Sequence, residues 1–514
     1  MGAGRYFAAM LAAAAVIAAP ASAQIKTAAV TGGTVEGVVA DGLSTYLGIP
    51  FAAPPVGPLR WKAPAPVKPW SGVRKADHHG AGCMQEPGLA KQMGFEGPLS
   101  EDCLFIDVWS PAKSSAEKLP VIVWIYGGGF NSGMTGVPLY DGAKFAKQGV
   151  VLVSVSYRVG PFGFIATPAL SKEGGGASGN YGMLDMISGL KWVQANVAKF
   201  GGDPAKVTIM GHSAGAMAVS RLTASPLAKG LFRGAIAQSG ANFTPPATLA
   251  SAETLGGKFL DGLGAGDLQA ARALSADAIE KAADARGAPR FPLPNDGRVV
   301  PGDQVKLWQT GKFNDTPVLI GHTSDEAVVF GSSKISSADF VKQIEASYGA
   351  KAPAILAAYP HATDEEATRS NKYLRRDTSF GWNEWAWARL QTAHGKGKAY
   401  VYYFDRPTAQ NPDGSGHGSE VGLVFANEDN RPGRAAWTDE DRALSRQIQS
   451  YWVNFAKTLN PNGAGLPAWP AFGGVDPQVM RLGKVNAPGP VPNLDKMKAL
   501  DTVYAGASAS GAGN

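Results

Sequence analysis

Lys206–Gly215, KVTIMGHSAG, constrains this chain more than any other stretch. Val207-Thr208-Ile209 is a β-branched run with the pattern of a short buried strand. It breaks at Gly211-His212-Ser213-Ala214-Gly215, a G-x-S-x-G, and a helix-like stretch follows through Ala216, Val219 and Leu222. A turn between strand and helix lifts the Ser213 hydroxyl clear of the sheet, and the flanking glycines spare the neighbouring backbone a collision. The five-residue pattern alone is common. Flanked in this way it predicts a serine presented as a nucleophile, and the plain alternative is an ordinary glycine-rich turn. Partners elsewhere in the chain have to decide.

The chain has 514 residues, enough for two average domains or one large α/β domain with insertions. A net charge of +6 is small for this length and no Lys/Arg block occurs, so a nucleic-acid partner has no footprint. The N-terminus has the three parts of a secretory signal: Arg5, the apolar run Ala8–Ala19, and Ala21-Ser22-Ala23 before Gln24. Residues 1–23 are therefore expected to be removed on export to the periplasm or the medium. The run is too short to span a bilayer, no cysteine follows it to carry a lipid, and no later segment is expected to span a membrane. Cys83 and Cys103 are the two cysteines, and export makes a disulfide between them the default. Closing a loop of about twenty residues stabilises by roughly 3 kcal/mol in the chain-entropy model. No histidine lies at ligand spacing from either cysteine, so no metal site is expected.

From Val35 to Trp70 short strand-like pieces alternate with proline turns, which exclude a helix there. Strands are expected at Cys103–Trp109, Val121–Tyr126, Val150–Tyr157, Gly234–Gln238, Val318–Gly321 and Ala399–Asp405, with a helix at Met183–Phe200. Apolar strands alternating with amphipathic helices predict a mostly parallel sheet covered on both faces, an α/β fold. The intervals 241–316 and 337–394 read as helical cap insertions between core strands. The second carries Phe380, Trp382, Trp385 and Trp387, read first as helix packing and second as pocket lining. It also carries Arg375 and Arg376, which either meet an acidic substrate or form a solvated helix face. Residues 506–514, small and glycine-rich, are expected to be a flexible tail.

A serine hydroxyl needs a base, and the base needs an orienting group. Of seven histidines, His212 neighbours Ser213 but points away from its hydroxyl on such a turn, which suits packing. His417 lies in a glycine loop, 413–420, just past the strand YVYYFD, a suitable place for a base; simple exposure is the alternative. Past the strand VLIG stand Asp325 and Glu326, of which one can point inward while the other faces solvent or a neighbouring loop. Tyr126-Gly127-Gly128-Gly129-Phe130, directly after a strand, offers unobstructed backbone N–H groups, and the N–H of Ala214 would complete an oxyanion site. No G-K-[ST] follows, so a phosphate loop is disfavoured.

These residues, with GIPFAAPPVGPLRW, SEDCLFIDVWSP, WIYGGGFNSG, YRVGPFGF, GNYGMLDMISGLKWV, FGGDPAKVTIMGHSAGA, AQSGAN and HTSDEAVVF, resemble the type-B carboxylesterases over nearly all of the mature chain. That family has the α/β-hydrolase fold and includes bacterial para-nitrobenzyl-type esterases and the cholinesterases. The resemblance implies a single catalytic domain over 24–505, with Ser213 as nucleophile, His417 as base and Glu326 as acid, Asp325 being the runner-up. It implies oxyanion donors at Gly128, Gly129 and Ala214, a buried serine at Ser239 beside acid and base, and the family's first disulfide at Cys83–Cys103. The family's D-E-G motif reads D-E-A here, with the glutamate kept. The Cys83–Cys103 loop lacks the tryptophan with which cholinesterases hold quaternary ammonium, and residue 212 is histidine where they carry glutamate, so choline esters are not the expected substrates.

The expected activity is exported hydrolysis of a small-molecule carboxylic ester without cofactor, the oligomeric state being left open. A narrower alternative is a hydrolase of bulky xenobiotic or natural-product esters such as phthalates, pyrethroids, carbamates or mycotoxin side-chain esters, since selectivity lies in the cap. A remote one is a cholinesterase-like binding module without activity, which the complete triad disfavours.

Overall fold

The computed structural model describes residues 24–510, apart from 328–330, 332, 408–410, 413 and 428–435. The expected signal segment, 1–23, lies outside the described residues.

Eleven strands form the main sheet. In chain order they are β1 (Val38–Ala40), β2 (Leu43–Pro50), β3 (Phe105–Ser110), β4 (Leu119–Ile125), β5 (Val151–Val155), β6 (Gly202–His212), β7 (Gly234–Gln238), β8 (Val318–Thr323), β9 (Ala399–Phe404), β10 (Gln478–Leu482) and β11 (Ala487–Pro490). Across the sheet the order is β11-β10-β9-β8-β7-β6-β4-β5-β3-β2-β1. From β10 to β5 every neighbouring pair is parallel, and the pairs at both ends are antiparallel. The centre is buried on both faces, which is why Val151–Val155 and Gly234–Gln238 are unbroken buried runs and not alternating ones. This is the mostly parallel, helix-covered sheet that the strand and helix pattern predicted, and the α/β-hydrolase fold that the resemblance implied.

Helix α1 (Tyr181–Asn196) covers β5 and β6, and α2 (Ala214–Ala224) starts directly at the C-terminal end of β6. Between β7 and β8 lie, among others, α3 (Leu249–Gly262) and α4 (Ala276–Ala283). Between β8 and β9 lie α5 (Ser337–Tyr348), α6 (Ala352–Ala358), α7 (Asp364–Arg376) and α8 (Trp382–His394). Both intervals thus interrupt adjacent parallel strands. Helix α8 lies against β8 and β9 themselves, so its tryptophans serve packing: Trp387 meets Phe243 and Trp308, and Trp382 meets Tyr504. A wider π-type turn, Asp377–Gly381, joins α7 to α8 and carries Phe380.

Three local readings need correction. Gly57–Leu59 makes one turn of 3-10 helix inside the proline-rich stretch, because Pro58 stands in the first turn, where its missing N–H costs nothing. The last helix, α9 (Leu494–Ser510), anchored by Met497 and Leu500, runs into the segment 506–514 read as a flexible tail, of which 511–514 lie outside the described residues. Arg376 belongs to no solvated face: it is 4 % exposed, pairs with Asp377 at 2.6 Å and donates to the Ser324 carbonyl at 3.2 Å. The Cys83–Cys103 disulfide is formed. No helix among the described residues is long and apolar enough to cross a membrane.

Glu280 on α4 gives the chain a pH-linked stability. Burial, then the charge of Asp284 and more distantly Glu86, pushes its carboxyl from 4.5 up to about 8. The folded chain therefore holds this proton more tightly than the unfolded chain. The resulting stability is fully present below about pH 4.5 and is lost as the pH rises through about 8. Glu280→Gln should raise the melting temperature at pH 8.5 and leave it unchanged at pH 4. Equal shifts at both values in scanning calorimetry would refute the assignment.

Candidate active site

Ser213 stands between the end of β6 and the start of α2 with φ +56°, a conformation that costs an L-residue energy and survives only where the surroundings fix it. They do so here. The Ser213 N–H donates to the Gln238 carbonyl at 2.8 Å, and a Cβ on Gly211 would lie 2.5 Å from the Gly215 carbonyl carbon. A Cβ on Gly215 would lie 2.1 Å from the Ile125 carbonyl oxygen on β4. The turn can be this tight only because both positions are glycine. The Ser213 side chain is left partly exposed.

Glu326 follows β8 by a short turn and is fully buried. Its Oε1 accepts the Thr323 N–H at 2.6 Å, and its Oε2 bonds His417 Nδ1. Asp325 points the other way, to Lys372 at 2.7 Å and Asn411 at 3.0 Å. Of the two carboxylates, the structure thus brings Glu326 and not Asp325 to the histidine. Burial alone would raise the Glu326 carboxyl, but the charge and hydrogen bond of His417, then the Ser239 hydroxyl and His322, hold it well below the usual range. For His417 burial acts downward, and the Glu326 charge and hydrogen bond overcome it and raise the imidazole. Because a carboxylate accepts at Nδ1, that nitrogen carries the proton and Nε2 is left as the basic site.

The acid's turn and the histidine's loop are joined backbone to backbone. The Asp325 N–H donates to the Ser415 carbonyl at 2.8 Å, the Ser415 N–H donates to Ser324 Oγ at 2.9 Å, and Asp325 pairs with Gly416 as an isolated bridge. Two rings flank His417: His212 at 4.6 Å and Phe380 at 5.0 Å between centroids. His212 thus links the Ser213 turn to the histidine by packing, as its orientation on the turn predicted. Phe380 is the member of the aromatic group that reaches the site.

After β4 the chain turns through Gly127–Gly129. Gly128 and Gly129 have φ +125° and +61°, which only glycine adopts without strain, and a Cβ on Gly128 would lie 2.1 Å from the Ser132 carbonyl oxygen. Ala214 opens α2, so its N–H is one of those a helix leaves without an intrahelical partner. Ser239, at the end of β7, is fully buried, with its hydroxyl beside Glu326.

Two further carboxylates surround this group, and sequence reasoning missed both. Glu384 on α8 pairs with His322 at 2.6 Å and accepts the Gly240 N–H at 2.9 Å. Glu420, three residues past His417, accepts from Tyr402 Oη at 3.0 Å; burial, then the Glu326 charge, pushes it up to about 7. An acidic residue amid the tryptophans of WNEWAW was the available signal for Glu384, since a carboxylate on an otherwise buried helix face needs a partner.

The family model described as "Carboxylesterase family" matches residues 20–499. The fumonisin B1 esterase of Sphingopyxis macrogoltabida is 37% identical over 459 residues, 86% of this chain and 83% of that protein. The para-nitrobenzyl esterase of Bacillus subtilis (strain 168) is likewise 37% identical over 459 residues, 86% of this chain and 91% of its own. A solved PNB esterase superposes with a TM-score of 0.84 at 34% identity, covering 93% of this chain and 99% of the other.

Proposed function

The chain belongs to the carboxylesterase family and is a carboxylic ester hydrolase, and from that premise we propose that it works through a Ser213–His417–Glu326 triad on esters met outside the cytoplasm. His417 Nε2 takes the proton of Ser213 as its Oγ attacks the ester carbonyl. The N–H groups of Gly128, Gly129 and Ala214 receive the oxyanion, and Glu326 stabilises the imidazolium. His417 then protonates the leaving alkoxide. Water, activated by the same imidazole, cleaves the acyl-enzyme and returns Ser213. The observation that carries this reading is the buried contact of Glu326 with His417 Nδ1, which fixes the tautomer that leaves Nε2 basic. Export is supported by the N-terminal pattern of 1–23 and is consistent with the Cys83–Cys103 disulfide.

For the substrate, similarity to an esterase named for fumonisin B1 favours including bulky natural-product esters beside simple ones. Arg376, held by Asp377, does not serve as a receptor for an acidic group. A fluorophosphonate probe should inactivate the protein stoichiometrically and add its mass to the tryptic peptide containing Ser213, abolishing hydrolysis of para-nitrophenyl acetate, butyrate and octanoate together. Labelling at another residue, or hydrolysis that survives full labelling, would sink the triad.

A further inference from the structure

The glycine loop assigned two of the oxyanion donors is held at its neck by a side chain from outside it. Within the loop the Gly128 carbonyl accepts from the Asn131 N–H at 3.0 Å, from the Ser132 N–H at 3.1 Å and from Ser132 Oγ at 3.1 Å. These bonds set the loop's shape and leave its placement over Ser213 to be set by anchors. One anchor is the Gly160 N–H, which donates to the Phe130 carbonyl at 2.6 Å. The other lies at the neck. There Gly133 approaches the loop's first residue so closely that a Cβ on it would stand 2.4 Å from the Gly127 carbonyl oxygen. Gly133 is gripped on both of its polar groups by Gln85. Its N–H donates to Gln85 Oε1 at 2.8 Å, and its carbonyl accepts from Gln85 Nε2 at 3.1 Å. The same Nε2 also donates to the Cys83 carbonyl at 2.9 Å. Gln85 is fully buried, so its amide is committed to these three bonds.

We propose that Gln85 is a positioning residue for catalysis: by holding both backbone groups of Gly133, and through Cys83 tying them to the Cys83–Cys103 disulfide, it sets where Gly128 and Gly129 stand over the reacting carbonyl. The inference rests on the serine-esterase reading above. Two parallel bonds to one residue fix orientation as well as distance, and in a site closed to water the Gly133 groups have no substitute partner. Oxyanion donors act only within a few tenths of an ångström of their working distance, and a misplacement of roughly 1 Å costs about 100-fold in rate. Gln85 acts through the loop and does not touch substrate.

Gln85→Met keeps the volume and removes all three bonds; Gln85→Glu keeps the acceptor for the Gly133 N–H and loses both donations. The readouts are kcat and KM for para-nitrophenyl acetate, affinity for an aryl trifluoromethyl ketone, whose hemiketal oxyanion needs the same donors, and the melting temperature. Gln85→Met should lower kcat by roughly 30- to 100-fold with KM within about threefold, and the ketone affinity should fall by the same factor as kcat/KM, with Gln85→Glu in between. A folded Gln85→Met variant with kcat within threefold of wild type, or with the loss confined to KM, overturns the proposal. Should the methionine variant not fold, the glutamate variant decides by the same ratio. Ketone binding by wild type that does not depend on Ser213 would defeat the serine reading itself; binding that depends on Ser213 but ignores Gln85 would defeat this inference alone.

Discussion

Ser213→Ala should lower kcat for para-nitrophenyl esters by roughly a million-fold, to a residue of activity supplied by the remaining donors and by binding alone. The turn that presents the hydroxyl is fixed by contacts of Gly211 and Gly215 with backbone, which leaves a neighbouring group no slack to move into its place. Circular dichroism should be unchanged, since the substitution removes one partly exposed atom. Glu326→Gln should cost less, about 10⁴-fold, because serine and imidazole remain while the tautomer is no longer enforced. It should also move the pH profile. In wild type the Glu326 charge raises the His417 imidazole against the downward effect of burial. Activity depends on neutral imidazole, so kcat/KM falls as the pH drops through that value. Without the charge burial prevails and the acidic limb moves to lower pH. A limb that stayed in place, or moved upward, would show that Glu326 is not the group that tunes His417.

Gly215→Ala should be one of the more damaging changes of a single methyl among the described residues. The added carbon would stand 2.1 Å from the Ile125 carbonyl oxygen and 2.6 Å from that of Tyr126. Both are backbone atoms at the end of a central strand with neighbours on either side, so neither can swing away as a flexible side chain would. Overpacking of this kind typically costs about 1–3 kcal/mol and occasionally more, and here any relief has to come from separating α2 from β4, which displaces Ser213. Gly257 on α3 provides the contrast: nothing lies within 4 Å of its Cβ position, so Gly257→Ala should stabilise by roughly 0.5–1 kcal/mol through helix propensity. Thermal melts and esterase activity of the two variants side by side test the pair. A Gly215→Ala protein as stable and as active as wild type would mean that the elbow is not held by this contact.

The parts of the site that were legible in the sequence are those built from consecutive residues. The G-x-S-x-G turn, the Gly-Gly-Gly loop and the strands before them are local patterns, and their physics is local too: small residues where backbone approaches backbone. The choice between Asp325 and Glu326 was not local. It depends on which carboxylate the Ser415–Gly416 backbone leaves facing inward, and only a family resemblance pointed to Glu326. Glu420 and Gln85 were illegible for the same reason, and Glu384 offered only its place amid tryptophans. Each acquires its meaning from a residue in another segment: Tyr402, Gly133 and Gly240. Arg376 was misread because charge on an amphipathic helix usually faces water, whereas here the next residue, Asp377, allows it to be buried. The terminal helix was missed because composition weighed small residues as loose, while the apolar anchors ahead of them had already set a helical course.

The direct joining of the acid's turn to the histidine's loop has an evolutionary corollary. The interval between β8 and β9 begins beside Glu326 and ends at Ala399, at the far end of the strand from His417, yet Glu326 and His417 are fastened directly to each other, and the excursion touches their junction through Lys372, Arg376 and Phe380. Lengthening a connection costs only about 0.6 kcal/mol for each doubling, so the part of this interval that makes none of these contacts, α5 and α6, can be extended or trimmed with little strain on the Glu326–His417 junction. The Glu326–His417 junction and these two helices can therefore diversify at different rates, as two separately inherited characters of a single gene product.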